Sequence, residues 1–401
     1  MKSITDLIDL GSKVIPCDIP TIKTNKYFSE SSKIISKFTF PIIVGTLVGL
    51  NRLYLLKINK LWLTLTCILH VIIAILVTVF IFQNEAHNLT LIIYKNIICV
   101  KFLLLSFDIY FFQKKQLLKL FKNLCEFDRI LKIEDNLDIT NPYIDLTTWV
   151  TLSLSSFCVE FVIVLYITFD SGHYYFPLVH VAYAHDSEIY FLCILLKSNL
   201  KRLHIITAHV NKLFSNTLTK SSSNAKFRKL EGLSENINLD ITSLHHAYEI
   251  LHKSCEKVNS VMSFPLLLLM FVAGAATTVL SKRVIKMMQI NEFGSLVSIQ
   301  KLLFLYLSIR CIRYTILVII PCYYSSATTT KVLEIREMLE SLFSDKLERR
   351  KAKTFLQLTE VCDFSYYMGG AVKLSMSWPL RYANHCITYL IIILQFSKYI
   401  D

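Results

Sequence analysis

Charged and hydrogen-bonding residues stand inside the apolar runs of this 401-residue chain, where each needs a partner or a purpose. Glu160 lies within Leu146 to Phe169, Asp186 and Glu188 within Phe176 to Ser198, and Arg310 and Arg313 within Leu302 to Tyr323. Glu160 and Asp186 are the candidate salt-bridge partners of the two arginines, because an unpaired charge in an apolar medium is costly. The stretch YYFPLVHVAYAHDSE, beginning near Tyr175, puts His180, Tyr183 and Ser187 on one helical face, and Tyr314 follows Arg313 directly. Aromatic rings supply contact area while a few polar groups fix orientation, which is the chemistry of a site for a small organic ligand. The same residue types also serve as packing side chains and structural ion pairs, and the sequence does not separate the two uses.

Catalytic chemistry is not expected. The chain has no Gly-rich phosphate loop, no HExxH and no Gly-x-Ser-x-Gly. Its 11 cysteines are scattered without a CxxC pair, mostly within apolar runs, and read as small buried hydrophobes. No metal or other cofactor is implied.

The elements that must position these residues are membrane helices. Hydrophobic residues make up 53% of the chain and mean hydropathy is +0.48, more apolar surface than a water-soluble core can hide. Apolar blocks recur with no linker between them, so one membrane domain, 1–401, is expected. Crossing the hydrocarbon takes about 20 apolar residues. The matches lie at about 61–82, 90–112, 146–169, 176–198, 262–281, 302–323 and 383–398, giving an all-α membrane protein with seven transmembrane helices. Ile35 to Leu50, interrupted by Lys37, Pro41 and Gly45, reads as an added interfacial or re-entrant helix near the N-terminus. The opening residues lack the pattern of a cleaved signal.

Net charge is +13, yet Lys and Arg sit between apolar blocks rather than in a nucleic-acid-binding pattern, so the expected partner is membrane lipid and not nucleic acid. With the N-terminus cytoplasmic, the inner segments hold 32 Lys and Arg and the outer ones 4, the bias that retains a segment inside. The C-terminus is then extracellular. The regions at about 201–261 and 326–380 become cytoplasmic anchor regions. The sequon Asn88-Leu89-Thr90 falls in the first outer loop, where Asn88 would be a glycosylation acceptor. Thr330 to Leu358 carries Val332, Ile335, Leu339, Leu342 and Phe343 at helical spacing, an amphipathic helix that needs either a protein partner or a lipid surface. This orientation is the reverse of a G-protein-coupled receptor's, and no Asp-Arg-Tyr follows the third span.

Near its end the chain reads TYLIIILQF: Thr388, Tyr389, five apolar residues, Gln395 and Phe396. Taken alone, this is a helix with interfacial caps, Gln395 reaching headgroups and Tyr389 and Phe396 joining an aromatic belt. The pattern also resembles the threonine-tyrosine, five hydrophobics, glutamine-phenylalanine motif that closes insect gustatory receptors. Phe364 to Cys386 is similar to that family's approach to its last helix, and length, span number and orientation agree along the whole chain.

The resemblance implies a ligand-gated, non-selective cation channel in the plasma membrane, expected in sensory dendrites. It would be a homotetramer, or a heterotetramer with other gustatory receptors, around a pore lined by the last helix. A small-molecule tastant would bind from outside within each helix bundle. Thr388, Ile392 and Gln395 share one face. Four copies would surround a dry constriction beside a ring of amides, with Gln395 and Phe396 at the outer gate and Thr388 and Tyr389 at the inner end. Sugar-responsive members carry a glutamate where this chain has Leu390, so the resemblance implies a bitter plant compound, with a fructose-type receptor as the alternative. A metabotropic receptor and a transporter are further alternatives, the latter weakened by the absence of internal repeats.

Overall fold

Long apolar runs with little Gly or Pro build long helices, and the computed structural model is made almost wholly of them. It describes residues 34–35, 38–47, 49–56, 60–82, 89–133, 158–163, 176–218, 240–290, 298–341 and 346–400. Helix α1 (Thr39–Leu47) and a 3-10 turn (Leu53–Leu55) precede α2 (Lys60–Phe82). Helix α3 (Leu89–Asp108) passes through a π-turn (Ile109–Gln113) into α4 (Lys114–Ile130). Residues 158–163 are helical. Three long helices follow: α5 (Phe176–Leu218), α6 (Ile241–Ile290) and α7 (Ser298–Ser341). The chain then forms α8 (Lys346–Val361), a hairpin of β1 (Tyr367–Met368) and β2 (Val372–Lys373), and α9 (Ser377–Ile400). In the hairpin Tyr367 opposes Lys373 and Met368 opposes Val372.

Among the described residues, Asn96–Ile130, Ile241–Ile285 and Phe304–Glu340 are long and apolar enough to cross a membrane. The helices outrun the apolar runs expected to span. At 1.5 Å per residue the 50 residues of α6 reach about 75 Å, more than twice a hydrocarbon core of roughly 30 Å. Hydropathy marks where lipid touches a helix, not where its hydrogen bonds end. Thus α5 continues well past Ser198, α6 begins at Ile241, and much of the two expected anchor regions is the same helices carried onward. Of the expected amphipathic helix over Thr330 to Leu358, the first part is the end of α7, with Val332, Ile335 and Leu339 buried, and the last part lies in α8. Leu342, Phe343, Asn88, and the parts of the expected third span before 158 and after 163 lie outside the described residues.

Helix α5 is the centre of the bundle. From 181 to 200 every residue is buried except Ser187 and Tyr190, the profile of a helix packed on all sides. Helix α2 is the converse. Leu65, Ile68, Ile72, Ile75 and Val79 are exposed, an apolar surface suited to lipid.

The hairpin fastens α9 to α6. Asn259 uses both ends of its amide, Nδ2 donating to the Ser365 carbonyl at 2.9 Å and Oδ1 accepting from the Tyr367 N–H at 3.0 Å. Gly369 donates its N–H to the Ser263 carbonyl at 3.0 Å. It has φ +60°, and an added Cβ would come within 3.0 Å of Leu267, so glycine meets two demands there. Ser325 of α7 bonds the Leu374 carbonyl at 2.8 Å. Further along, Tyr382 of α9 bonds the Met270 carbonyl at 2.6 Å, and its hydroxyl lies 2.5 Å from where a Cβ on Gly274 would stand. Tyr366, held by Asn199 at 3.1 Å, is fully buried, and burial followed by the nearby Cys255 pushes its phenol well above its ordinary pKa. It stays a neutral hydroxyl. Asn259→Ala leaves two backbone groups unpaired and is expected to cost about 1 to 3 kcal/mol. A lower melting temperature of the purified full chain, with a smaller loss for Asn259→Asp, which keeps the acceptor, would show it; no loss would mean the clamp is dispensable.

Candidate functional site

Helical geometry brings the charged residues of separate apolar runs face to face. Arg310 and Arg313, one turn apart on α7, meet Glu160 of the 158–163 segment and Asp186 of α5. Arg310 Nη2 lies 2.6 Å from Glu160 Oε2, and its Nη1 3.3 Å from Asp186 Oδ2. Arg313 repeats the pattern at 3.2 Å to Glu160 Oε1 and 2.8 Å to Asp186 Oδ2. Each arginine bridges both carboxylates. Glu160 and Arg310 are fully buried, so loss of any one member would strand a charge in an apolar interior.

Aromatic groups enclose this cluster. Tyr183 donates to Glu160 Oε2 at 3.2 Å and accepts from Arg313 Nη1 at 3.2 Å. The guanidinium carbons of Arg310 and Arg313 stand 4.9 and 4.8 Å from its ring centroid, within the range where ring faces attract cations. Arg310 also faces Tyr306 at 5.9 Å. The His185 ring meets Tyr314 edge to face at 5.1 Å.

Of the seven expected ligand residues, Tyr183, Arg310, Arg313 and Tyr314 therefore gather in one buried cluster. Ser187 is only half-buried and faces elsewhere: its Oγ stands beside Gly45 of α1, 3.6 Å from where a Cβ would project. Tyr175 and the side chain of His180 lie outside the described residues. Sequence reasoning missed His185, Tyr306 and Lys101 as members. Lys101, of α3, is buried and within electrostatic reach of Asp186, Arg310 and His185. Its signal was a lysine in the middle of a span that also carries Lys95 and Asp108.

A second buried network sits next along α5. Arg52, between α1 and the 3-10 turn, pairs with Glu188 through two 2.7 Å bonds and donates a third, also 2.7 Å, to Gln113 Oε1 in the π-turn. Gln113 in turn donates to Asp108 at 2.7 Å. The Arg52 guanidinium lies 4.1 Å over the Phe191 ring. Extra backbone in a π-turn re-aims side chains, and here the turn's last residue, Gln113, faces Arg52. The N-terminal segment, α3 and α5 are thereby joined at one point.

Helix α9 has two unlike faces. Trp378, Tyr382, Cys386 and Leu390, at intervals of four, are partly buried, and Trp378 and Tyr382 stack at 4.8 Å against the core. Arg381, Thr388 and Gln395, at intervals of seven, are exposed along another face with Ile392 at 41%. The expected stripe of Thr388, Ile392 and Gln395 thus points away from its own helix bundle. Tyr389 is exposed as well, at 63%. The side chain of Phe396 lies outside the described residues.

Neither a protein-family model nor a curated protein matches the chain in sequence. In structure it is similar to the olfactory receptor OR5 of the insect Machilis hrabei in complex with eugenol. That comparison covers 92% of this chain and 99% of the receptor, with TM-score 0.62 and 13% identity. A further structure of OR5 aligns over 89% and 97% with TM-score 0.58, again at 13% identity. The chain is an all-α, multi-pass membrane protein with the fold of an insect olfactory receptor.

The Arg52 network yields a prediction of its own. Glu188→Leu leaves a buried guanidinium without its carboxylate and is expected to cost about 3 to 5 kcal/mol, whereas adding Arg52→Met should restore most of it. Thermal unfolding and surface abundance of the two variants check this, and a double variant no better than the single one would contradict it.

Proposed function

We propose that this chain is an insect gustatory receptor: a tastant-gated, non-selective cation channel of the plasma membrane, with α9 lining the pore of a tetramer. The observation that carries the reading is the exposed face of α9. An apolar helix with Arg381, Thr388 and Gln395 in line on the side away from its own bundle is poorly suited to lipid. Placed around an axis with its copies, that side supplies a polar lining, with Ile392 as a dry constriction that gates by dewetting. The shared fold with an insect olfactory receptor supports a chemosensory role, and TYLIIILQF favours the gustatory branch.

Within each subunit the ligand site is the cluster of Tyr183, Tyr306, Arg310, Arg313 and Tyr314. It offers aromatic contact area around a few fixed polar groups. OR5 was solved with eugenol, and a small organic compound is the corresponding ligand proposed here. With Leu390 in place of the glutamate of sugar-responsive members, a bitter plant compound is the favoured class. The N-terminus is placed inside and the C-terminus outside, so Gln395 and Phe396 stand near the outer mouth.

Whole-cell recording from a heterologous cell tests the reading. A tastant-evoked cation current that persists when G-protein signalling is blocked is expected, and full dependence on G proteins would sink it. Gln395→Ala should change conductance or ion selectivity with surface expression intact; unchanged currents would remove Gln395 from the pore.

A further inference from the structure

One exposed line runs along α3 and α4 and changes chemistry at the π-turn between them. Before the turn it is apolar, with Val100, Leu104, Phe107 and Phe111 exposed three or four residues apart. Beyond it the same spacing continues as Lys115, Lys119 and Lys122, also exposed. The opposite side stays buried throughout, through Phe102, Leu105, Ile109, Leu117 and Leu120. Asn96–Ile130 is long and apolar enough to cross a membrane, so the change marks where this face passes from hydrocarbon to water. An exposed aromatic patch lies at the boundary, the Phe107 and Phe111 rings 4.5 Å apart with Tyr110 and Phe112 beside them at 5.0 and 6.0 Å. Between Asp108 and Glu126 the sequence has four lysines and no acid. Lys114 faces the Tyr54 ring at 5.7 Å. The other three share the outer face at spacings where like charges repel. The carboxylates that follow on α4 face other groups, Glu126 Arg129 at 4.0 Å and Asp128 Arg202 at 2.7 Å. An anion from outside the chain would offset the repulsion.

We propose that this face holds a phosphoinositide of the cytoplasmic leaflet, its acyl chains against Phe107 and Phe111 and its phosphates along Lys115, Lys119 and Lys122. Basic side chains beside the inner leaflet attract anionic headgroups, and height selects among them. Along the helix axis Lys115 stands about 6 Å beyond Phe111, Lys119 about 12 Å and Lys122 about 16 Å. The headgroup layer is only about 5 to 8 Å deep. A phosphodiester at the bilayer surface therefore meets Lys115. Only a headgroup that carries further phosphates outward, as an inositol ring does, meets Lys119 as well. The placement rests on the N-terminus being inside and needs neither the pore nor the ligand cluster.

The test measures binding and is independent of current. The full chain in phosphatidylcholine nanodiscs is heated with phosphatidylinositol bisphosphate, with phosphatidylserine at matched charge, or with soluble inositol trisphosphate. The phosphoinositide should raise the melting temperature saturably, phosphatidylserine less, and the soluble headgroup little, because it lacks the chains that the aromatic patch covers. Lys115→Gln combined with Lys119→Gln should weaken the phosphoinositide effect about tenfold or more. Lys253→Gln combined with Lys351→Gln removes the same charge from α6 and α8 and should leave it unchanged; all four lysines are exposed, so both chains should fold. An equal shift with phosphatidylserine, a soluble headgroup as effective as the lipid, or an effect that survives loss of Lys115 and Lys119 would each overturn the proposal. In intact cells Lys119→Cys should escape an impermeant thiol reagent until the membrane is permeabilised, and labelling from outside would overturn the inner-leaflet placement. A phosphoinositide shift without any evoked current would leave this inference standing and count against the channel. Tastant-evoked current with no phosphoinositide shift would do the reverse.

Discussion

Glu160, Asp186 and Glu188 are carboxylates fixed in an apolar interior, and each is answered by an arginine from another element. Burial strips them of most of their hydration, so the partner must be brought by the fold. Asp186 and Glu188 sit two residues apart on α5, on different sides of the helix. One therefore engages α7 and the 158–163 segment, the other the N-terminal segment and the π-turn after α3. Apolar side chains alone hold membrane helices weakly to one another, because lipid tails are equally good company. The charge pairs supply the register that apolar packing leaves open.

Such pairs define an arrangement more than they stabilise it. A buried ion pair replaced by apolar side chains of similar volume is often neutral or favourable, whereas one partner removed alone is costly. A helix shifted by one turn would leave Arg310 or Arg313 without its carboxylates.

Much of this was legible from residues. Apolar runs located the helices, and the cost of charge in lipid paired Glu160 and Asp186 with Arg310 and Arg313 before any coordinates. Other features were not legible, for physical reasons. Arg52 lies outside any apolar run, so nothing local tied it to Glu188, 136 positions away. The polar turns of α5 and α6 look like loop to a hydropathy reading but remain helical, since backbone hydrogen bonds and packing against neighbouring helices hold them. Pro265 and Pro321 sit inside α6 and α7 without ending them, because in a packed bundle neighbours can re-satisfy the freed carbonyls. Ser187 shares a turn with Tyr183, yet α1 claims it, and periodicity cannot say which neighbour occupies a face.

The arrangement also bears on how the cluster and α9 can influence each other under the proposed reading. Helix α7 carries Arg310 in the cluster and, 15 residues or about 22 Å further on, Ser325 bonded to the Leu374 carbonyl just before α9. It is one continuous helix between these points. A displacement of α7 that follows its two arginines therefore arrives at the base of α9 without crossing a loop. Helix α6 opposes it, holding the hairpin through Asn259 and α9 through Tyr382. A ligand biases such a system only by the difference in its affinity for two positions of α7. Contacts made by the arginines themselves change with that position, and they are the contacts a ligand in the cluster would alter.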